Sequence, residues 1–173
     1  MNVARYALLL TTFAALAAWA GAQGPAPSLT AADQLRLFKS NRALLDNLVD
    51  HGVKMSAADT PLARAEECRR TALTLATYTK RAATEDQNPD RVAELANLLG
   101  EVVREGLAPN LDEAKRTFPP ESRQAKRVGE LRDTTKHDLD AVRAAIPAGK
   151  VGDNAKVQAA LARLAELRAK FGE

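Results

Sequence analysis

From Thr30 to Phe171 the apolar residues recur every three or four positions, the spacing that gathers side chains on one face of an α-helix. Leu37, Leu44, Leu48 and Met55 form the first stripe, with Phe38, Leu45 and Val49 beside it. Thr30 is placed to cap the backbone N–H of Asp33, with Asp33 answering in a capping-box-like pair, and Gly52 lies near the end of this segment. A second helix opens with Thr60 as cap and Pro61 in the first turn, where a missing N–H costs nothing. Its stripe is Leu62, Ala65, Cys68, Ala72, Leu75, Ala76 and Thr79. The β-branched residues of Thr71–Thr79 alternate locally as in a strand, but the stripe passes through them without losing phase, so the stretch reads as helix.

Asn88-Pro89 repeats the cap-then-proline signal for a third helix, with Val92, Leu95, Leu99, Val102 and Val103 inward. Gly106 and Pro109 then read as a stop, and Asn110 with Glu113 as a fresh cap. Yet Val103, Leu107, Leu111, Ala114 and Phe118 keep one phase across Pro109. That predicts one helix kinked at Pro109 rather than two, because the ring removes a backbone hydrogen bond and presses on the carbonyl four residues back. The fourth helix follows Pro119-Pro120, buries Ala125, Val128, Leu131, Thr135, Leu139, Val142 and Ile146, and ends at Pro147 and Gly149. The fifth starts at Asp153, with Val157, Leu161, Leu164 and Phe171 on one face.

Connections of about five to seven residues favour antiparallel neighbours. The first four helices are about 25 residues each, roughly 37 Å at 1.5 Å per residue. The expected fold is therefore all-α: an up-and-down antiparallel bundle of four long helices in residues 30–173. The shorter fifth should lie along its side or cover one end. Composition agrees, since 9 Gly, 8 Pro and 4% aromatic residues in 173 do not suit an all-β, collagenous or low-complexity chain.

Met1–Ala22 stands apart from this pattern. Arg5, the apolar run Tyr6–Ala20 and the small-x-small site Ala20-Gly21-Ala22 follow one another in the order of a secretory signal peptide cleaved after Ala22. The run is shorter than the ~20 residues that span a bilayer, so no transmembrane helix is expected in the mature chain. Gln23–Ser28, with Leu29, reads as a flexible linker. An exported protein, periplasmic or extracellular, meets neither nucleic acid nor cytosolic cofactors.

Little catalytic chemistry stands out. His51 and Met55, four apart, could face one way and would suit copper, but two ligands at a helix end make no site, and a solvated or capping histidine is expected. His137 follows Asp133 by four residues, the spacing of a surface pair. The single Cys cannot supply the Cys-x-x-Cys-His of covalent haem, and no Glu-x-x-His pair for di-iron occurs. Cys68 lies on the stripe with Ala65 and Ala72, as a small core hydrophobe. The alternatives are an intermolecular disulfide or a thiolate activated by Arg69 and Arg70, which helical geometry points about 100° and 200° away. Asn41, Thr79 and Thr135 are polar residues on apolar faces, positions where side chains usually bond the backbone or fix register. No Gly-rich phosphate loop or Ser-His-Asp order appears, so neither enzyme activity nor a metal or other cofactor is expected.

Charge is uneven. Between Lys115 and Lys136 there are seven basic residues and three acids, Glu121, Glu130 and Asp133. Within this stretch Arg123, Lys126 and Arg127 are the candidate face for an anionic partner, a protein or cell-envelope component, against the plainer reading of a solvated, partly self-paired surface. The leader, the helical pattern and the Arg- and Ala-rich second helix loosely resemble small exported helical proteins of bacteria, some of which are periplasmic stress sensors, chaperone-like adaptors or external parts of anti-sigma systems. No motif names a family, and no functional residue is carried over. The expectation is a non-catalytic binding, adaptor or chaperone-like module of the cell envelope, with a small-ligand or metal carrier, its pocket near Pro109, as the alternative.

Overall fold

A computed structural model describes residues 31–171, with side chains from Asn41 onward and at Lys39. The leader, its cleavage site at Ala22, the 23–29 linker and the Thr30 cap lie outside the described residues. The chain divides into two units, residues 1–41 and 42–173. Residues 31–41 of the first are helical, and all contacts described below belong to the second.

Every regular element among the described residues is helical. They are α1 (Ala31–Ser56), α2 (Pro61–Thr84), α3 (Pro89–Glu101), a π-helical segment (Val102–Leu107), α4 (Ala108–Thr117), α5 (Arg123–Ala145) and α6 (Ala155–Lys170). The caps explain most of the boundaries. Thr60 Oγ1 accepts the Ala63 N–H at 3.1 Å, and Asn88 Oδ1 accepts that of Arg91 at 3.2 Å, each just before a proline in the first turn. Ser122 Oγ caps α5 through Ala125 N–H at 3.1 Å. The last helix starts later than the Asp153 expected, because Asn154 is the cap, its Oδ1 accepting Lys156 and Val157 N–H. Asp153 belongs instead to the preceding turn, its N–H bonded to the carbonyl of Gly149, whose φ of +96° a side chain would strain.

Helix α3, the π segment and α4 form one continuous rod from Pro89 to Thr117. Pro109 is accommodated by a change of hydrogen-bond register: Ala108 N–H reaches Val103 O, five residues back, instead of the fourth. Val103, Leu107, Leu111 and Ala114 are all fully buried, so the apolar stripe does cross the proline in phase.

The core is built around α2, which packs against α3, the π segment, α4 and α5, while α6 packs most closely on α3 and also on α5. Lys156 pairs with Asp90, Arg163 bonds Asn97, and Leu164 and Leu167 lie beside Gly100, contacts that advance together along both helices and so align α6 with α3 in the same direction. Val157, Ala160 and Leu164 of α6 are buried, and burying the leucine contributes roughly 1.5–3 kcal/mol. Described residues of α1 contribute less: Leu44 is buried and Leu48 and Met55 pack on the core, but Val49 and Val53 are more than 60% exposed. Among the described residues the short fifth helix of the sequence reading is thus more deeply packed than the first. The short helix is a core member, because its Leu164 and Leu167 close over Gly100 of α3, where no side chain stands in the way.

Candidate functional site

Of the seven basic residues between Lys115 and Lys136, three are engaged. Arg127 bonds Glu66 of α2 at 2.9 Å and Glu130 at 3.0 Å; these bonds, that to Glu66 first, push its pKa up. Arg132 pairs with Asp112, and Lys136 with Asp133 at 3.1 Å. Lys115, Arg116, Arg123 and Lys126 are exposed and have no ion-pair or side-chain hydrogen-bond partner among the described residues.

These four flank the connection 118–122. Phe118 leaves the helix in an extended conformation (φ −100°, ψ 140°), as a residue before proline must, and the Ser122 N–H bonds back to Pro119 O at 2.9 Å. Lys115 and Arg116 occupy the last turn of α4, where the helix dipole favours them. Arg123 is the first residue of α5, where the dipole opposes a cation, and no acid occupies that first turn. At Arg123, unpaired positive charge is therefore held where it weakens the helix, at a helix N-terminus whose dipole also attracts anions. Of the predicted face, Arg123 and Lys126 lie in this corner. Arg127 is drawn off as a tie to α2, a partner 61 residues away that local patterning does not reveal.

A second polar cluster surrounds the π segment. Gly106 there lies so close to α2 that a Cβ on it would stand 2.9 Å from Cys68 Sγ. The Cys68 thiol is 2% exposed, donates to Met55 Sδ at 3.3 Å, and is pushed up to about 11 by burial, which describes a core thiol and not a nucleophile. Asn110 Nδ2 donates to Gly106 O at 2.8 Å, while its Oδ1 accepts Arg64 Nε at 2.9 Å and Arg64 Nη2 reaches Glu113 at 3.1 Å. Asn110 and Glu113, which in sequence resemble a helix cap, instead tie α4 to α2. His51 is not the solvated or capping histidine expected: its side chain is mostly buried, with Nδ1 facing Glu67 Oε2 at 3.4 Å and neither atom hydrogen-bonded. Its position is imposed by the Leu44, Leu48 and Met55 face, which carries it against α2.

His137 is exposed, and Asp133 pairs with Lys136 rather than with it. Thr79 and Thr135 are buried, their hydroxyls donating to Leu75 O and Leu131 O at 2.7 Å, the backbone bonding expected of polar residues on these stripes. No group of three or more His, Cys, Asp or Glu side chains gathers among the described residues. Nor is any described helix long and apolar enough to cross a membrane. An interior void of about 10 Å³ beside Arg69, Thr135 and Asp138 has room for no more than a single water. No family model matches the chain, and the searches of curated proteins and solved structures found nothing similar.

Proposed function

We propose that the protein is an exported, non-catalytic binding module whose α4–α5 corner engages an anionic protein or cell-envelope component. One observation carries this reading: Lys115, Arg116, Arg123 and Lys126 are exposed and unpaired around one connection, whereas Arg127, Arg132 and Lys136 are spent on internal pairs. Only Glu121 lies among the four in sequence, so the corner is net positive, and one of its cations opposes its own helix dipole. In this reading the rods alternate up and down, as short connections favour, and α2, with its ties to α4 and α5, holds the corner rigid. Export rests on the leader-like order of Met1–Ala22.

The test is retention on an anionic envelope fraction as salt is raised. K115Q/R116Q/R123Q/K126Q should elute at clearly lower salt, while R127Q, which removes a paired charge, should elute with the wild type. Equal elution of the fourfold variant and the wild type would refute the proposal. A second reading, a small-ligand carrier near Pro109, is supported by a hollow that reaches Ala108.

A further inference from the structure

The hollow beside Ala108, about 230 Å³, lies between the π segment and α4 on one side and α5 and α6 on the others. Arg104, Arg132 and Lys170 line it together with Asp112, and Ala108, Leu167 and Phe171 supply apolar wall. Arg132 is its centre. The guanidinium lies 6.0 Å from the Phe171 ring centroid and bonds Asp112 through Nη2, while its Nε is buried with no hydrogen-bond partner.

Charge and size narrow the ligand. Three cations line the hollow; among the described residues Asp112 balances Arg132 and Glu105 balances Arg104, leaving one net positive charge, on the Lys170 side. One negative charge on the ligand completes the balance. A dry cavity of about 150 Å³ takes benzene, and drug-sized ligands need about 300 Å³ or more. This hollow lies between the two. Its polar side offers a guanidinium, whose planar N–H groups match a carboxylate, and its other side offers a ring and aliphatic groups.

We infer that this hollow is a binding site for a small monocarboxylate with an aromatic or branched apolar body. The site deepens the carrier reading and is independent of the α4–α5 corner, so the fourfold corner variant should still bind such a ligand. A free acid and a peptide's C-terminal aromatic residue both present this chemistry.

The experiment is an NMR titration of the full mature chain with phenylacetate, a tripeptide ending in Phe, the same peptide amidated, and 2-phenylethanol. Phenylacetate should shift the amides of Ala108, Leu167 and Phe171 saturably. The alcohol should bind at least about tenfold more weakly, the loss expected when a charged hydrogen bond goes. Binding by the acid-ended tripeptide but not its amide would assign the peptide source, and binding by phenylacetate alone the free-acid source. K170Q, which breaks no ion pair among the described residues, should weaken binding about tenfold without altering the unfolding midpoint. R132K should weaken it too, because an ammonium keeps the charge but loses the planar fork. Absence of saturable shifts at these amides, equal binding of acid and alcohol, or unchanged binding by K170Q would each overturn the inference.

Discussion

Replacing Gly106 with Ala tests how tightly the π segment is pressed against α2. In an exposed helix this exchange stabilises by about 1 kcal/mol, because glycine loses more backbone freedom on folding. Here the new methyl would stand 2.9 Å from Cys68 Sγ and 3.7 Å from its Cβ. The sulfur has little room to yield: it is 2% exposed and in contact with Met55 Sδ at 3.3 Å. Overpacking of this kind costs about 1–3 kcal/mol, so the net effect of G106A is a loss of roughly 0–2 kcal/mol. The reasoning becomes sharp in a double-mutant cycle. With Cys68→Ala in place the sulfur is gone and the 3.7 Å contact is ordinary, so G106A should now stabilise by about 0.5–1 kcal/mol. Urea unfolding followed by far-ultraviolet dichroism gives all four stabilities. Stabilisation by G106A in both backgrounds, or additive effects, would show that Gly106 and Cys68 are not in the contact described.

Three further outcomes follow from the same geometry. Burial raises the Cys68 thiol from 9.0 to about 11, so the folded state holds this proton more tightly than the unfolded chain does. Stability from this source is fully present below pH 9 and is lost as pH rises toward 11, at most roughly 2–3 kcal/mol, and urea midpoints of wild type should fall more steeply over that window than those of C68A. Arg123→Glu replaces a cation at the start of α5 by an anion and should raise stability by about 0.3–1 kcal/mol while weakening anionic capture; a fall in melting temperature would contradict the dipole argument. Leu164→Ala in α6 should cost about 2–4 kcal/mol against less than about 0.5 for Val49→Ala in α1, and the reverse order in denaturant titrations would restore α1 as the core helix.

Periodicity and caps made most of the helices legible: Thr60-Pro61 and Asn88-Pro89 start helices where expected, and the strand-like Thr71–Thr79 stays helical because its stripe never breaks phase. The same stripe carried the third rod across Pro109. Patterning could not show how, since a proline permits a break, a kink or a π turn, and the outcome rests on Ala108 reaching Val103 and on Asn110 bonding the Gly106 carbonyl. Pairing was hidden for a related reason. A sequence shows which face of a helix is apolar but not which helix meets it, so the deep packing of α6 on α3 could not be read from it. Arg127 likewise looks free until Glu66 is placed beside it. The hollow gathers residues from 104 to 171, and no local spacing announces Arg132 against Phe171.

Both proposed binding surfaces depend on the rod that runs unbroken through Pro109, because it carries Arg104 and Ala108 to the hollow and Lys115 and Arg116 to the basic corner. Residue-resolved amide exchange and Cα chemical shifts across Pro89–Thr117 test it directly. The account predicts helical shifts without interruption and a protected Ala108 amide, bonded to Val103 O. Coil shifts over Gly106–Asn110, with an Ala108 amide exchanging as fast as in an unfolded peptide, would contradict it.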